Sequence, residues 1–588
     1  MKNKILILLG GINTFIEDLF NCYAVKECRP SAQKNLDSVE IKLFINDRKL
    51  ILNNSIIFMI FIFLSHVCLG ATNETKSLQE MINNTRDLRA LIQSDPHRPI
   101  YHFVAPEGHA LPFDPNGAIY WKGKYHLGYI YQKLIGEKKQ HVWGHAVSSD
   151  LFHWTLYPDM IDVKDGDLEN GIFSGGAFLS KEGIPHVIYY GLGASANLIA
   201  YAVDDDLKVW KKSNKNPVLR ALDPSDPNET NGMECCVPPK GKYSVFDPDV
   251  WYDKKADAYY QISGGMKPGL FKSTDMYNWK YLGNVISGSN TMRFPFEDIS
   301  CPDFFSIGDK SMLLFISHKL GAQYYIGTFA NDKFVPEQHG RMNWPGGTFF
   351  AAEQLQDANG RNIIWGWVTQ PREIESIFKK SKNYRDYGWS GIMSLPRVVS
   401  LSAKGELQIN PPEEVKAIRL NEVQENNFVL QPNTEKNLQS NGKSIELAIE
   451  ISGGTKFPFG VKVLASPDGR EETVIRYEPE QEQLVIDFSR SSIIGPNTIP
   501  VFNLEKNDYS EHVSEQKAPF KLEKGETLKL NVFLDRSVIE VFANGHLAMT
   551  QVVYPELETS TGVKVFSGNE AITVDNIQSW TMAETNAY

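Results

Sequence analysis

The sequence predicts an all-β protein in two parts, a domain of repeated antiparallel blades followed by a sandwich, and three observations carry that expectation. Aromatic residues make up 11% of the chain, with 44 Gly and 31 Pro, a composition that favours many short strands joined by turns. Short β-type runs recur from about Tyr101 without amphipathic helices between them, which excludes a βαβ design. The last third of the chain alternates apolar and polar residues instead, the pattern of strands buried on one face.

Taken in order, residues 1–70 read as a leader. Ile56 to Leu69 is an apolar run with Arg48 and Lys49 ahead of it and the small residues Gly70 and Ala71 after it. It has the length of a signal-peptide core rather than of a spanning helix, which needs ~20 residues. The long stretch before it leaves three readings: translation starting nearer Met59, an uncleaved signal anchor, or a buried strand. The expected location is secreted or extracellular, with an N-terminal anchor through 56–69 as the alternative. Sequons at Asn73, Asn83 and Asn228 agree with that route. Residues 71–97 are polar with helix-compatible spacing at Leu78, Met81, Ile82, Leu88 and Leu91, and read as a connector.

The blade domain is expected over 98–405. Its strand runs include 118–131, 186–193, 258–265, 311–318 and 362–368, and the D-x-x-x-W elements DLFHW (150–154), DLKVW (206–210) and DMYNW (275–279) mark repeated turns. Internal repetition of this kind points to propeller blades. Residues 406–430 are charged, contain a Pro pair and are expected as a linker. Residues 431–588, with SIELAIEIS (444–452) and SVIEVFANG (537–545), are expected as the β-sandwich.

A chain of 588 residues exceeds one core, and 60 Lys+Arg against 71 Asp+Glu leaves a net charge of −11. That balance excludes a nucleic-acid partner and a polybasic membrane-surface protein. Six cysteines, Cys22, Cys28, Cys68, Cys235, Cys236 and Cys301, give neither a disulfide framework nor a zinc motif. No metal and no cofactor is expected.

The chemistry is expected at acidic residues that open strand runs. Asp114 precedes Pro115-Asn116-Gly117, Asp247 lies in FDPDVW, and Glu297 and Asp298 lie in FPFEDISCPDFF. In a propeller each innermost strand begins beside the axis, so acids at three such starts converge on one funnel. Convergent carboxylates are what glycoside cleavage uses.

The run HALPFDPNGAIYWKGKYHLGYIYQ (109–132) resembles the W-M-N-D-P-N-G signature of glycoside hydrolase family 32, the invertase and fructan β-fructosidase family. WGHAVSSDLFHW (143–154), FSGGAF (173–178), FDPDVW (246–251), SCPDFF (300–305), IIWGWV (363–368), GWSGIMSLPRVVSL (388–401) and LDRSVIEVFANG (534–545) resemble further family elements in the same order. The resemblance implies a five-bladed β-propeller followed by a C-terminal β-sandwich. It implies hydrolysis of terminal β-D-fructofuranosides, sucrose or fructans, with retention. Asp114 would be the nucleophile that forms a covalent fructosyl-enzyme, and Asp247 would stabilise the oxocarbenium-like transition state. A glutamate near Cys301 would serve as acid/base.

Departures from the family pattern bear on recognition of the sugar. Leu111, Pro112 and Phe113 replace Trp-Met-Asn, Phe246 replaces the Arg of R-D-P, and Ser300 replaces the Glu before the cysteine. The acid/base then falls to Glu297 or Asp298. Strand parity sets Asp298 on the side of Ser300, while Glu297 has the reach and residue type of the family and is the expected catalytic residue. Asn116, Trp143, Phe173, Ser174 and Trp365 are the expected substrate-binding residues. A disaccharide or oligosaccharide is the only expected partner. The alternatives are a fructosyltransferase, in which a sugar intercepts the intermediate, and an inactive carbohydrate-binding propeller.

Overall fold

The computed structural model describes residues 84–586 except 88, 108–109, 136–137, 221–238, 240, 287–296, 371–388 and 496, and also 43–45 and 48–50. The chain divides into two compact units, 1–84 and 85–588. In the first, Leu43–Ile45 and Arg48–Leu50 form an antiparallel hairpin. The apolar run 56–69, Met59 and the three sequon asparagines lie outside the described residues, as do Cys22, Cys28, Cys68, Cys235 and Cys236. No helix among the described residues is long and apolar enough to cross a membrane.

The second unit is all-β apart from helical residues at 85–87 and 89–94 and short 3₁₀ turns. Among the described residues, five antiparallel sheets follow one another along the chain over 115–161, 171–220, 248–284, 300–341 and 349–410. Their inner strands are Pro115–Trp121, Ala177–Leu179, Pro248–Asp253, Ser300–Ile307 and Phe349–Gln356. Each touches the next, and the last touches the first, so the sheets close a ring. Middle strands such as Ala258–Ser263 are buried along their whole length. Both faces pack on neighbouring sheets, and this is why these runs read as continuous apolar stretches rather than as alternations.

The repeated turns have a common construction. Asp150 Oδ1 accepts the N–H groups of Phe152 and His153 at 3.0 and 2.8 Å, and Asp275 Oδ1 those of Tyr277 and Asn278 at 3.0 and 2.9 Å. Leu151, Leu207 and Met276 all take positive φ, of 71°, 57° and 60°. In the middle copy Asp204 supplies the acceptor, bonding Val209 N–H at 2.7 Å, while Asp206 pairs with Lys208.

Side chains also tie each inner strand to its neighbour. Asp249 Oδ2 accepts Phe304 N–H at 2.8 Å, Asp303 accepts a backbone N–H of Gln354, and Glu353 Oε1 accepts Ala118 N–H at 2.8 Å. Three inner strands are bulged near these ties, at a residue of positive φ: Gly117 (56°), Cys301 (44°) and Ala351 (41°). A bulge lifts backbone N–H groups out of the ladder, and the buried carboxylates take some of them up.

Residues 419–582 form two further large sheets, of seven and six strands, around a separate core that includes Leu447, Val461, Ile486 and Val532, with a two-stranded hairpin over 499–513 beside them. Ser444–Gly453 shows the one-face alternation expected of them. The stretch 406–430 is not a separate linker. Leu407–Asn410 pairs with Arg397–Leu401 as the edge of the fifth sheet, and Arg419–Glu425 and Phe428–Leu430 pair with Ile572–Met582. Its charges are the solvent faces of edge strands, and only Pro411, Pro412 and the 3₁₀ turn Glu413–Ile418 join the two parts.

The parts are locked by LDRSVIEVFANG. Asp535 accepts the N–H groups of Ile100, Tyr101 and His102 at 2.7, 2.9 and 2.8 Å. Glu540 accepts Leu395 N–H at 2.7 Å and pairs with buried Arg397 at 3.1 Å. His102 lies between them, 2.9 Å from Asp535 and 3.4 Å from Glu540. Burial opposes its charge, but the two carboxylates outweigh burial and raise it to about 9.

Candidate active site

The site lies where inner strands begin. Asp114 is set by backbone pairing of its neighbours across the sheet, Phe113 N–H to Ile130 at 2.9 Å and Ile130 N–H to Asp114 at 3.1 Å. Asn116 Nδ2 donates to the Asp114 carbonyl at 2.7 Å, and Asn116 Oδ1 accepts Gly175 N–H at 2.9 Å. Gly175 must be glycine, since a Cβ there would stand 2.0 Å from the Ile188 carbonyl. This close approach brings Ser174 against the acid, and its hydroxyl donates to Asp114 Oδ2 at 3.3 Å.

Asp247 is held from the third sheet. Gly264 N–H bonds its carbonyl at 2.9 Å, and Asn197 holds the Phe246 carbonyl at 2.7 Å. Its carboxylate accepts Cys301 N–H at 3.0 Å, with the Cys301 thiol 3.6 Å away. Burial raises Asp114 to about 6 against the pull of the His318 charge. Burial raises Asp247 to about 7, against the Cys301 N–H and His318 and with the help of the Asp114 charge. Burial and both carboxylates push the Cys301 thiol well above its usual range. Asp114, Ser174, Asp247, Cys301 and His318 thus form one electrostatic group.

A run of aromatic rings extends from Phe113, the chain neighbour of Asp114. Phe113 meets Trp367 at 5.9 Å and His141 at 5.8 Å, His141 meets Phe173 at 5.0 Å, and Phe350 stands 6.3 Å from both Trp367 and His318. Such rings can pack on the apolar C–H face of a sugar.

Of the expected site residues, Asp114, Asp247, Phe173 and Ser174 are brought together. Asn116 is 1% exposed and shapes the turn under the acid. Trp143 and Trp365 do not line the site: at 0% and 1% exposure they belong to cores between sheets. Trp143 Nε1 donates to the Phe173 carbonyl at 3.1 Å, so it supports the wall from behind. Trp365 lies one register step deeper than Trp367, opposite Glu353 rather than Phe350. Glu297 is buried and engages the outer strands of its own sheet. Its Oε1 accepts Gln323 Nε2–H at 2.5 Å, and it exerts its charge on Arg341. Asp298 follows the parity expectation, taking the Ser300 hydroxyl at 2.8 Å. The Phe246 ring packs on Tyr190 at 5.0 Å, inside the interface of two sheets. His141, His318, Phe350 and Trp367 were not expected here. Trp367 shares a strand face with Trp365, and only its place nearer the strand end separates them.

Two opposed carboxylates at inner-strand ends, walled by aromatic rings, form the kind of site that cleaves glycosides. Comparison with known proteins agrees. Residues 102–411 match the model of the glycosyl hydrolases family 32 N-terminal domain and 414–581 that of the family 32 C-terminal domain. The chain is similar to a fructan 1-exohydrolase of Aegilops speltoides, 27% identical over 80% of this chain and 85% of that one. It is similar also to beta-fructofuranosidase, insoluble isoenzyme 4, of Oryza sativa subsp. japonica, 25% identical over 90% and 96%. Its fold matches the crystal structure of fructan 1-exohydrolase IIa from Cichorium intybus with a TM-score of 0.67, at 23% identity, over 83% of this chain and 98% of that one. The chain belongs to glycosyl hydrolase family 32 and is a glycoside hydrolase.

Proposed function

We propose that the protein hydrolyses terminal β-D-fructofuranosides, sucrose or fructans, with retention through a covalent fructosyl-enzyme. The observation that carries this reading is the placement of two buried acids from different sheets, Asp114 held by the Ser174 hydroxyl and Asp247 held by Cys301 N–H, with the Asp114 charge helping to raise Asp247. Asp114 attacks the anomeric carbon. Asp247, held by Cys301 N–H, bonds ring hydroxyls and faces the positive charge that develops. Retention needs the nucleophile and the acid/base about 5 Å apart.

The closed ring of sheets, through Asn410, is read as a five-bladed propeller, and the sheets from Arg419 onward as the sandwich that buttresses it. Secretion through the apolar run 56–69, or anchoring by it, completes the reading, supported by the basic residues before the run and the small residues after it. Release of fructose from sucrose, inulin and levan by the purified protein tests the activity. Activity that survives in Asp114→Ala would reject the nucleophile.

A further inference from the structure

Glycoside cleavage needs a group that protonates the leaving oxygen and later activates water. The family pattern has a glutamate directly before the cysteine of the fourth inner strand, and this chain has Ser300. Ser300 Oγ donates to Asp298 Oδ2 at 2.8 Å. The same buried carboxylate accepts the His318 backbone N–H at Oδ1, at 3.0 Å, and takes its ring Nδ1–H at Oδ2, at 2.7 Å. Both oxygens of Asp298 are thus engaged by Ser300 and His318, and what it presents to the site is an imidazole.

That imidazole is well placed. The His318 side chain is 39% exposed while Asp298 is 2% exposed, so the ring is fixed at Nδ1 by a buried acid and reaches solvent-accessible space. It stands 6.3 Å from Phe350 in the aromatic wall, and its charge acts on both Asp114 and Asp247. The turn that carries it is gripped by the hairpin Ile499–Asn503 and Asp508–Val513 of the C-terminal part. Tyr509 Oη donates to the His318 carbonyl at 2.9 Å, and Lys319 Nζ bonds Asn507 at 3.2 Å and lies 5.0 Å over the Phe502 ring.

We propose that His318, oriented by Asp298, is the acid/base residue of this site. The inference rests on the fructoside hydrolase reading above. With Nδ1–H given to Asp298, the exchangeable proton is the one on Nε2. In the first step Asp114 forms a bond to the anomeric carbon, and the glycosidic C–O bond breaks. Its electron pair stays on the leaving oxygen, which takes the proton from Nε2 of the imidazolium. In the second step water gives a proton back to Nε2 as its oxygen bonds the anomeric carbon. The bond to Asp114 then breaks, and its electron pair returns to the carboxylate.

The test compares sucrose with fructosyl fluoride, whose leaving group departs without a proton. In His318→Gln, kcat on sucrose is expected to fall about 10²–10⁴-fold. Cleavage of the fluoride with azide as acceptor should stay near the wild-type rate. Equal losses on both substrates, or an unchanged rate on sucrose, would overturn the assignment. So would the same leaving-group dependence in Glu297→Gln with none in His318→Gln. Wild-type protein inactive on every fructoside would instead reject the underlying activity, and the assignment with it.

Discussion

Glu353, on the inner strand of the fifth sheet, accepts the backbone N–H of Ala118 on the first at 2.8 Å. The contact joins the last sheet to the first, and it repeats from sheet three to four through Asp249 and from four to five through Asp303. Burial raises all three carboxyl groups. The ring is thus closed by acids that keep their protons more readily than exposed ones; Asp249 lies on the strand that Asp247 opens, and Glu353 ties down the strand that Asp114 opens.

Replacing Glu353 by Ala leaves the bulged N–H of Ala118 without its acceptor, and an unsatisfied buried donor costs about 1–3 kcal/mol. Glu353→Gln keeps an acceptor oxygen and should cost well under that. Chemical denaturation of the two variants checks the difference. Equal losses would mean that packing, not the tie, sets the cost.

The pH dependence of stability follows from the raised acids. Asp114 and Asp247 rise from 3.8 unfolded to about 6 and about 7 folded, so the folded protein binds their protons more tightly. Their contribution is complete below about pH 4 and is lost as pH climbs through 6 to 7. Asp247→Asn removes part of that loss. The variant should therefore gain stability relative to wild type between pH 4 and 8, measured as the difference in unfolding free energy.

His102 acts in the same direction at higher pH. Its folded value of about 9 lies above the 6.5 of a free imidazole, so its stabilisation is full below about 6.5 and disappears as pH rises through 9. Glu540→Ala strips the partner from buried Arg397 as well, and uncompensated buried charge costs about 3–5 kcal/mol. Thermal melts from pH 6 to 10 should show the wild-type decline and a lower, flatter curve for the variant.

The two tryptophans of IIWGWV should separate cleanly. Trp367→Ala opens the wall beside Phe113 and should raise KM for sucrose with little change in melting temperature. Trp365→Ala empties the core and should cost about 3–5 kcal/mol while the remaining folded enzyme keeps its KM. Steady-state kinetics and denaturation on both variants decide this.

Much of this arrangement could be read from residue order. Asp114 and Asp247 announce themselves because Asp-Pro at the start of a strand places a short acid at the ring axis. Phe173 and Ser174 were visible through the FSGGAF element, whose Gly175 permits the close approach. Asn116, Trp143 and Trp365 show where the motif misleads. Residues beside a catalytic acid often hold it rather than touch the substrate, and only depth along the strand, which sequence does not reveal, tells Trp365 from Trp367. His318 was hidden for a different reason. It sits in a hairpin turn 20 residues from Asp298, and its link to Asp114 runs through space between sheets. The charged stretch 406–430 resembled a linker because edge strands of adjoining domains expose one face, and charge on that face looks the same as charge on a tether.

Covalent fructosylation of Asp114 is the step on which the proposed chemistry depends. Rapid mixing of the wild-type enzyme with fructosyl fluoride, acid quenching, and peptide mass analysis test it most directly. One fructosyl residue is expected on the peptide that carries Asp114, absent in Asp114→Ala. An adduct on another carboxylate, or first-released fructose of inverted anomeric configuration, would contradict it.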